Sequence, residues 1–513
     1  MREKYIKNSI ILFICLIFTK FFGAIYKILL SNILGTRGIG IYQMIFFVYS
    51  LFLVFITGAM PTFISQRVSK FRASNDFASI ASLVKNALML CTILGLIFST
   101  VLTLMAQSFA IWQGNSDAYW GYVIVGVSII FSAVACVIKG YFLGIEHMSI
   151  NAICGIVEQI VKLCIGLIMA RIFAKNGVIF AIYGAFLGVL FSEIVAFIFM
   201  IIFYMCKKQK VSARYSLLEI KNTFWGFLPL VFSNLVLPLS NFVDSFLVVN
   251  LLMTKFSKTV STSLFGIATG MIAPLVNFPV LLCGTICTAI LPTISYSFAQ
   301  KKDVCGVFGG ALSFVFMLFV PCAFGMLALS RNIVVTFFPS IEIQFMDIAS
   351  FYLQVMSFNI IWLSLFQIIS SLLVGIGEFR LPLIAQTIGV VVKISVTVIL
   401  ILFTKLNILS LAIAINVGNI LTICLSIGYM RKYVCVNMFK QKFILSFACA
   451  LIMFFIVLGL DMTIKLNAII KIGMLITLGA LVYFSLCIIL KVFSIKSVKN
   501  MFFKSKMHKE KLK

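Results

Sequence analysis

Apolar runs of about 20 residues recur along the chain between short polar breaks, and each is long enough to cross the hydrocarbon core of a bilayer as a helix. The pattern predicts spans near 9–33, 41–64, 79–106, 120–143, 149–173 and 178–205. After a lysine-rich linker at 206–222, spans follow near 223–252, 263–291, 304–329, 346–374, 381–403 and 408–430, and two more near 443–461 and 468–490. The reading is an all-α polytopic membrane protein of fourteen transmembrane helices. The first segment begins with Arg2, Lys4 and Lys7. It is too long for a signal-peptide core, carries Lys20 and has no small-residue cleavage site, so it reads as a retained helix.

Composition agrees with this pattern. Of 513 residues, 62% are hydrophobic and 11% charged, against about half and about a quarter in a soluble domain. Such a chain cannot hide its apolar surface in its own core, which excludes a soluble enzyme, a secreted disulfide scaffold and a nucleic-acid-binding domain. The net charge of +27 reads as topology once its placement is followed. Alternate connections hold Arg67, Lys70 and Arg72; Lys207, Lys208, Lys210, Arg214 and Lys221; Arg431, Lys432, Lys440 and Lys442; and the lysines of the tail at 491–513. The other connections hold only Arg37, Lys175, Lys255, Lys258, Arg331, Lys405 and Lys465. Basic loops stay inside, so both termini are expected on the cytoplasmic side of the cell membrane. In the tail, Val492, Ile495, Val498 and Phe502 repeat at helical spacing between lysines, which suits either a surface-lying helix or a disordered basic tail. Cysteines such as Cys15, Cys91, Cys136, Cys164, Cys424 and Cys449 sit in apolar runs with no CxxC pair, as small packing hydrophobes do. With two His and fourteen acidic residues, no metal, cofactor or catalytic group is expected.

A constant offset of 231 residues superimposes rare positions. Gly35 falls on Gly266, Pro61-Thr62 on Pro292-Thr293 and Lys70 on Lys301; Gly144-Ile145 falls on Gly375-Ile376 and Val161-Lys162 on Val392-Lys393. Each repeat holds an even number of spans, so both enter the membrane in the same sense, as in transporters built from parallel repeats. The expected domains are an N-terminal lobe at 1–205, a linker at 206–222, a C-terminal lobe at 223–431, additional helices at 443–490 and a basic tail at 491–513.

A charge held mid-membrane costs at least about 2.5–3.5 kcal/mol, so each one implies a partner or a water-filled cavity. Lys20 lies near the middle of span 1, and Lys27, seven residues on, returns to nearly the same helix face. In span 5, Glu158 and Lys162 stand four apart and are expected to pair. Lys393 holds the equivalent place in span 11, with Gly389 where the acid would be, and is a cavity candidate. Span 7 carries Pro229, Pro238, Asn241 and Asp244; its prolines free backbone groups, and Asp244 is placed to answer a lysine or bind a cation. Glu193 reads as a helix–helix contact, while Lys85 and Lys471 lie near enough to span ends to snorkel. Inward cations with few acids to answer them suit an anionic substrate, above all phosphate or pyrophosphate, which lysine binds as a point charge.

The stretch Thr19-Lys20-Phe21-Phe22-Gly23, followed by Leu34-Gly35-Thr36-Arg37-Gly38-Ile39-Gly40-Ile41-Tyr42-Gln43, resembles the opening of the stage V sporulation protein B-like branch of polysaccharide exporters. Gly140-Tyr141-Phe142-Leu143-Gly144 and Glu158-Gln159-Ile160-Val161-Lys162 resemble it too, as do Pro279, Leu291-Pro292 and Gly375-Ile376-Gly377 with Lys393. That branch belongs to the multidrug/oligosaccharidyl-lipid/polysaccharide exporter superfamily. The resemblance implies two six-helix lobes around a cavity that opens alternately to either side. It implies a polyprenyl-pyrophosphate-linked oligosaccharide, a cell-wall or polysaccharide precursor, flipped from the inner to the outer leaflet. In the related lipid II flippases span 1 lines the cavity with basic residues, a place Lys20 matches, and two additional helices form a groove for the lipid tail. Those flippases use arginines where span 1 here offers lysines, which leaves the glycan open.

The expected function is therefore a lipid-linked oligosaccharide flippase and not an enzyme. Lys20, Lys27 and Lys393 would hold the pyrophosphate, with Lys162, Glu158 and Asn241 lining the cavity. Asp244 would serve as counter-charge or as a cation or proton site, and a cation or the membrane potential would drive coupling. Expected partners are the lipid-linked glycan, membrane lipids and cell-wall or polysaccharide synthases, with no nucleic acid. The rivals are a cation-coupled multidrug antiporter of the same superfamily and a scramblase. A membrane glycan polymerase or glycosyltransferase, the rival from another class, calls for a sizeable extramembrane domain, which loops this short do not supply.

Overall fold

The computed structural model describes residues 2–207, 215–300, 304–431, 433, 440–464 and 466–490. Among them the regular structure is helical, with no strand. The elements are α1 (Arg2–Thr57), α2 (Met60–Ala73), α3 (Phe77–Leu104), α4 (Ala106–Trp112), α5 (Tyr119–Gly144), α6 (Met148–Phe173), α7 (Val178–Lys207) and α8 (Leu217–Met253). They continue with α9 (Lys258–Gly266), a π turn (Ile267–Ile272), α10 (Ala273–Ala299), α11 (Val304–Ala328), α12 (Ser330–Phe337) and α13 (Ile343–Gly375). The last are α14 (Arg380–Phe403), α15 (Leu409–Met430), α16 (Lys440–Thr463) and α17 (Ala468–Ile489).

Among the described residues, 13 helical stretches are long and apolar enough to cross a membrane. The first, Ile17–Ala73, has 57 residues, far more than the roughly 20 that one crossing takes. It supplies two crossings, which restores the fourteen expected from the apolar runs. Where a loop was expected between spans 1 and 2, α1 instead runs on through one bend at Gly35 (φ 68, ψ −178). That conformation is open essentially to glycine alone, so a single residue does the work of a loop. Pro61 then sits in the first turn of α2, where its missing N–H costs nothing.

The repeat is visible in element bounds. Shifted by 231 residues, α5 ends at the end of α13, and α7 begins where α15 begins. The short helices α4 and α12 each follow the third span of their half. By packing, the described chain divides into two compact units, Met1–Pro274 and Leu275–Lys513. This boundary lies well past the 206–222 linker because α8 and α9 pack on helices of the first half. Gln43 Nε2 donates to Thr269 O at 2.9 Å, Asn234 Nδ2 to Gly58 O at 2.8 Å and Asn250 Nδ2 to Trp112 O at 2.7 Å. Glycine lets the α1 and α9 backbones meet: a Cβ on Gly40 would lie 2.2 Å from Thr262 O.

The first unit is cored by large aromatics such as Tyr42, Tyr122 and Phe186, with Tyr42 stacked on Phe186 at 4.5 Å. In the second unit, α16 and α17 are tied on by their own contacts. Phe324 of α11 meets Phe447 and Phe454 of α16 edge-on. Lys471 of α17 pairs with Asp461 of α16 at 2.9 Å, and Asp461 also accepts from Asn332 of α12. Lys471 therefore answers a carboxylate rather than snorkelling, as its place near a span end had implied. Many large apolar side chains remain exposed on α3, α7, α14 and α17, as a lipid-facing surface requires.

Candidate functional site

The first arm of α1 meets α6 along a seam set by helical spacing. Thr19, Gly23 and Tyr26 recur at i, i+4 and i+7, and they face Gly155, Gln159, Lys162 and Gly166. A Cβ on Gly23 would lie 3.6 Å from Gln159 Oε1, and one on Gly166 would lie 3.0 Å from the Tyr26 ring. Beside this seam two ammonium groups share aromatic faces. Lys27 Nζ is 5.5 Å from the centre of the Phe46 ring. Lys162 Nζ is 5.5 Å from Tyr26 and 5.7 Å from Phe46. Ring quadrupoles attract cations at this range, most strongly where water is scarce. Lys20 lies on an exposed face of the same arm.

Glu158 does not take the partner its spacing implied. It pairs at 3.1 Å with Lys139, which reaches it from α5, and both side chains are mostly buried. Lys162, one turn along α6, turns instead to the rings of Tyr26 and Phe46. Glu193 of α7 stands beside Ser132, within electrostatic reach of Glu158, Lys139 and Lys162. Three lysines thus gather against two glutamates, drawn from α1, α5, α6 and α7. Sequence reasoning missed Lys139, which lies five residues from the end of α5 and reads as a residue able to reach the interface. Its signal was the local run Cys136-Val137-Ile138-Lys139-Gly140-Tyr141-Phe142, where no acid stands within one turn.

The other candidates stand on other helices. Asn241, part-buried, and Asp244, buried, are on α8. Asp244 adjoins Ser245, whose hydroxyl accepts from Gln113 Nε2 at 3.0 Å. Lys393 belongs to the second unit and is 8% exposed. Gly389 is there for packing: a Cβ on it would lie 1.9 Å from Thr422 Oγ1 and 2.7 Å from Gly418 O of α15. The backbone of α15 leaves no room for a counterpart of Glu158. The described cavity of about 210 Å³ lies elsewhere, lined by residues such as Arg72, His147 and Lys207 at one end of the first unit. The linker residues 208–214 and the tail at 491–513 lie outside the described residues.

Residues 5–298 match the polysaccharide biosynthesis protein family, over more than half of the chain. The chain belongs to that family. Two of its relatives come from Bacillus subtilis (strain 168). It is 25% identical over 425 residues to the lipid II flippase MurJ, covering 78% of either chain. To stage V sporulation protein B it is 24% identical over 311 residues, covering 59% of this chain and 60% of that one. Among solved structures, lipid II flippase MurJ in an inward closed conformation superimposes with TM-score 0.75 at 16% identity, over 97% of this chain and all of that one. An inward-facing multidrug transporter of the MATE family matches with TM-score 0.66 at 15% identity, over 81% of this chain and 94% of that one. At such identity these likenesses speak for the fold. This member of the polysaccharide biosynthesis family has the fold of a multi-pass membrane protein.

Proposed function

We propose that the chain is a flippase for a polyprenyl-pyrophosphate-linked oligosaccharide, carried from the inner to the outer leaflet by alternating access. The observation that carries this reading is the excess of lysine around α1, with Lys27, Lys139 and Lys162 set against Glu158 and Glu193 and Lys20 exposed on the same arm. A pyrophosphate needs compact positive charges held ready in a dry setting. Lys20 and Lys27 would take the phosphates, Lys162 would steady the field between the aromatic rings, and Lys393 would add charge from the C-terminal lobe. Asp244 would act as counter-charge or as the coupling site for a cation or proton. Asn241, one turn away on α8, would offer a polar contact to the sugar. The two lobes would be the repeats at 1–205 and 223–431, with α16 and α17 guiding the lipid tail and both termini in the cytoplasm. Cell-wall or polysaccharide synthases would use the delivered substrate. The antiporter reading is weaker, because it asks for acids open to a cation in the first lobe, where Glu158 is engaged by Lys139.

The test is native mass spectrometry of protein gently extracted from its own membrane, comparing wild type with Lys20→Ala and Lys27→Ala. A hydrogen bond to a charged group contributes about 1.5–3 kcal/mol, so each variant should hold about tenfold less polyprenyl-pyrophosphate glycan, or lower still. Equal amounts on all three proteins, or bulk phospholipid alone, would overturn the reading.

A further inference from the structure

The first unit contains a second concentration of positive charge that the flippase reading does not use. At the end where α2, α3, α5, α6 and α7 meet, a cavity of about 210 Å³ is lined by Arg72, Lys207 and His147. Tyr141 and Tyr204 form part of its wall, edge to face at 5.3 Å. The lining from α3 is apolar, with Phe77, Ile80 and Val84. Ile202 and Met205, close to Tyr204 along α7, are exposed apolar side chains. The first turn of α6 adds to the positive field: it has no side-chain cap, and its N-cap residue, His147, lines the pocket. A cationic mouth on an apolar wall matches an amphiphile with a phosphate. The space suits one head group and is too small for a glycan.

The turn that closes this pocket carries an anomaly. Glu146 has φ +64, a left-handed conformation that strains a non-glycine residue. At the equivalent place in the second repeat, 231 residues on, the chain uses Gly377 at φ +95. In the first repeat the strain comes with a carboxylate whose Oε2 lies 3.7 Å from Arg72 Nη1, with both side chains well exposed. An exposed pair of this kind is weak and readily exchanged.

We propose that this pocket binds the phosphate of an anionic phospholipid through Arg72 and Lys207, with Glu146 as the built-in competitor for Arg72. The leaflet served is the one at this end of the unit, the inner leaflet under the orientation proposed above. Basic pockets between helices on that side take anionic head groups by the same chemistry. The lipid displaces Glu146 from Arg72, its phosphate diester replaces the carboxylate, and its acyl chains lie along α3 and α7.

The experiment is native mass spectrometry of the purified full chain titrated with short-chain phosphatidylglycerol or phosphatidylcholine. Wild type should bind one phosphatidylglycerol at least several-fold more tightly than phosphatidylcholine. Arg72→Ala combined with Lys207→Ala should abolish that preference. Glu146→Gly should bind phosphatidylglycerol several-fold more tightly than wild type and melt no lower, because glycine accepts φ +64 without strain. The proposal is overturned if wild type does not distinguish the two lipids, if the double variant keeps the preference, or if Glu146→Gly binds less. Excess inorganic phosphate should leave most of the lipid bound. Full displacement would assign the pocket to a soluble phosphate and also overturn the lipid reading.

Discussion

At the scale of single residues, the decisive arrangement is the pair made by Lys139 and Glu158. Its side chains are 28% and 19% exposed and 3.1 Å apart, so each ion depends on the other more than a surface pair would. Removing one partner strands the second away from water, which is where buried pairs hurt most. Lys139→Ala and Glu158→Ala should each lower the melting temperature of the detergent-solubilised protein. The double variant should recover part of the loss, with a coupling of about 1–3 kcal/mol. Strict additivity would mean that the pair contributes nothing. This arrangement also marks the limit of what the sequence could tell about the site. Glu158 and Lys162 were legible as intramembrane charges, because such residues are rare and costly. Their partners were not, since a four-residue spacing is local and Lys139 is brought in by the packing of α5 on α6. The same limit governs Gly389. In the sequence it looks like a missing acid beside Lys393, and in the fold it is the contact through which α15 approaches α14.

At the scale of elements, most spans were legible to within a few residues, because a bilayer demands about 20 apolar residues per crossing and tolerates few alternatives. What escaped were features without an apolar run of their own. The helices α4 and α12 have 7 and 8 residues, too short to leave a period, and the bend at Gly35 hides between two spans as an ordinary glycine. Caps are more readable, and one of them titrates. Asp76 precedes α3 and accepts from both the hydroxyl and the N–H of Ser79, at 2.5 and 3.0 Å. These bonds, the hydroxyl foremost, hold its carboxyl below the usual range. A carboxyl whose folded value is depressed adds stability above the unfolded value of about 3.9 and loses it as pH falls through the folded one. Asp76→Ala should therefore melt below wild type at neutral pH, and the gap should narrow as the pH drops under about 3.9. Asp76→Asn, which still caps a helix, should lose the pH dependence while keeping much of the stability. A gap that stays constant with pH would assign the effect to the cap geometry alone.

At the scale of the whole molecule, the leaflet assigned to the proposed lipid pocket rests on how the chain is threaded, and threading follows from lysine and arginine placement rather than from packing. Ser74, in the turn after α2, follows Arg67, Lys70 and Arg72; Lys175, in the turn between α6 and α7, is flanked by few charges. Basic connections resist translocation, so the first turn should face the cytoplasm and the second the exterior. Both positions are exposed, and the described cysteines are all free thiols, so no disulfide among them is broken when a cysteine-depleted background is prepared. In that background, a membrane-impermeant maleimide added to whole cells should label Lys175→Cys and leave Ser74→Cys untouched. Permeabilisation should then make Ser74→Cys reactive. The opposite pattern would turn the molecule over, placing the Arg72–Lys207 pocket against the outer leaflet. This one labelling experiment therefore decides which leaflet the pocket serves as well as the topology.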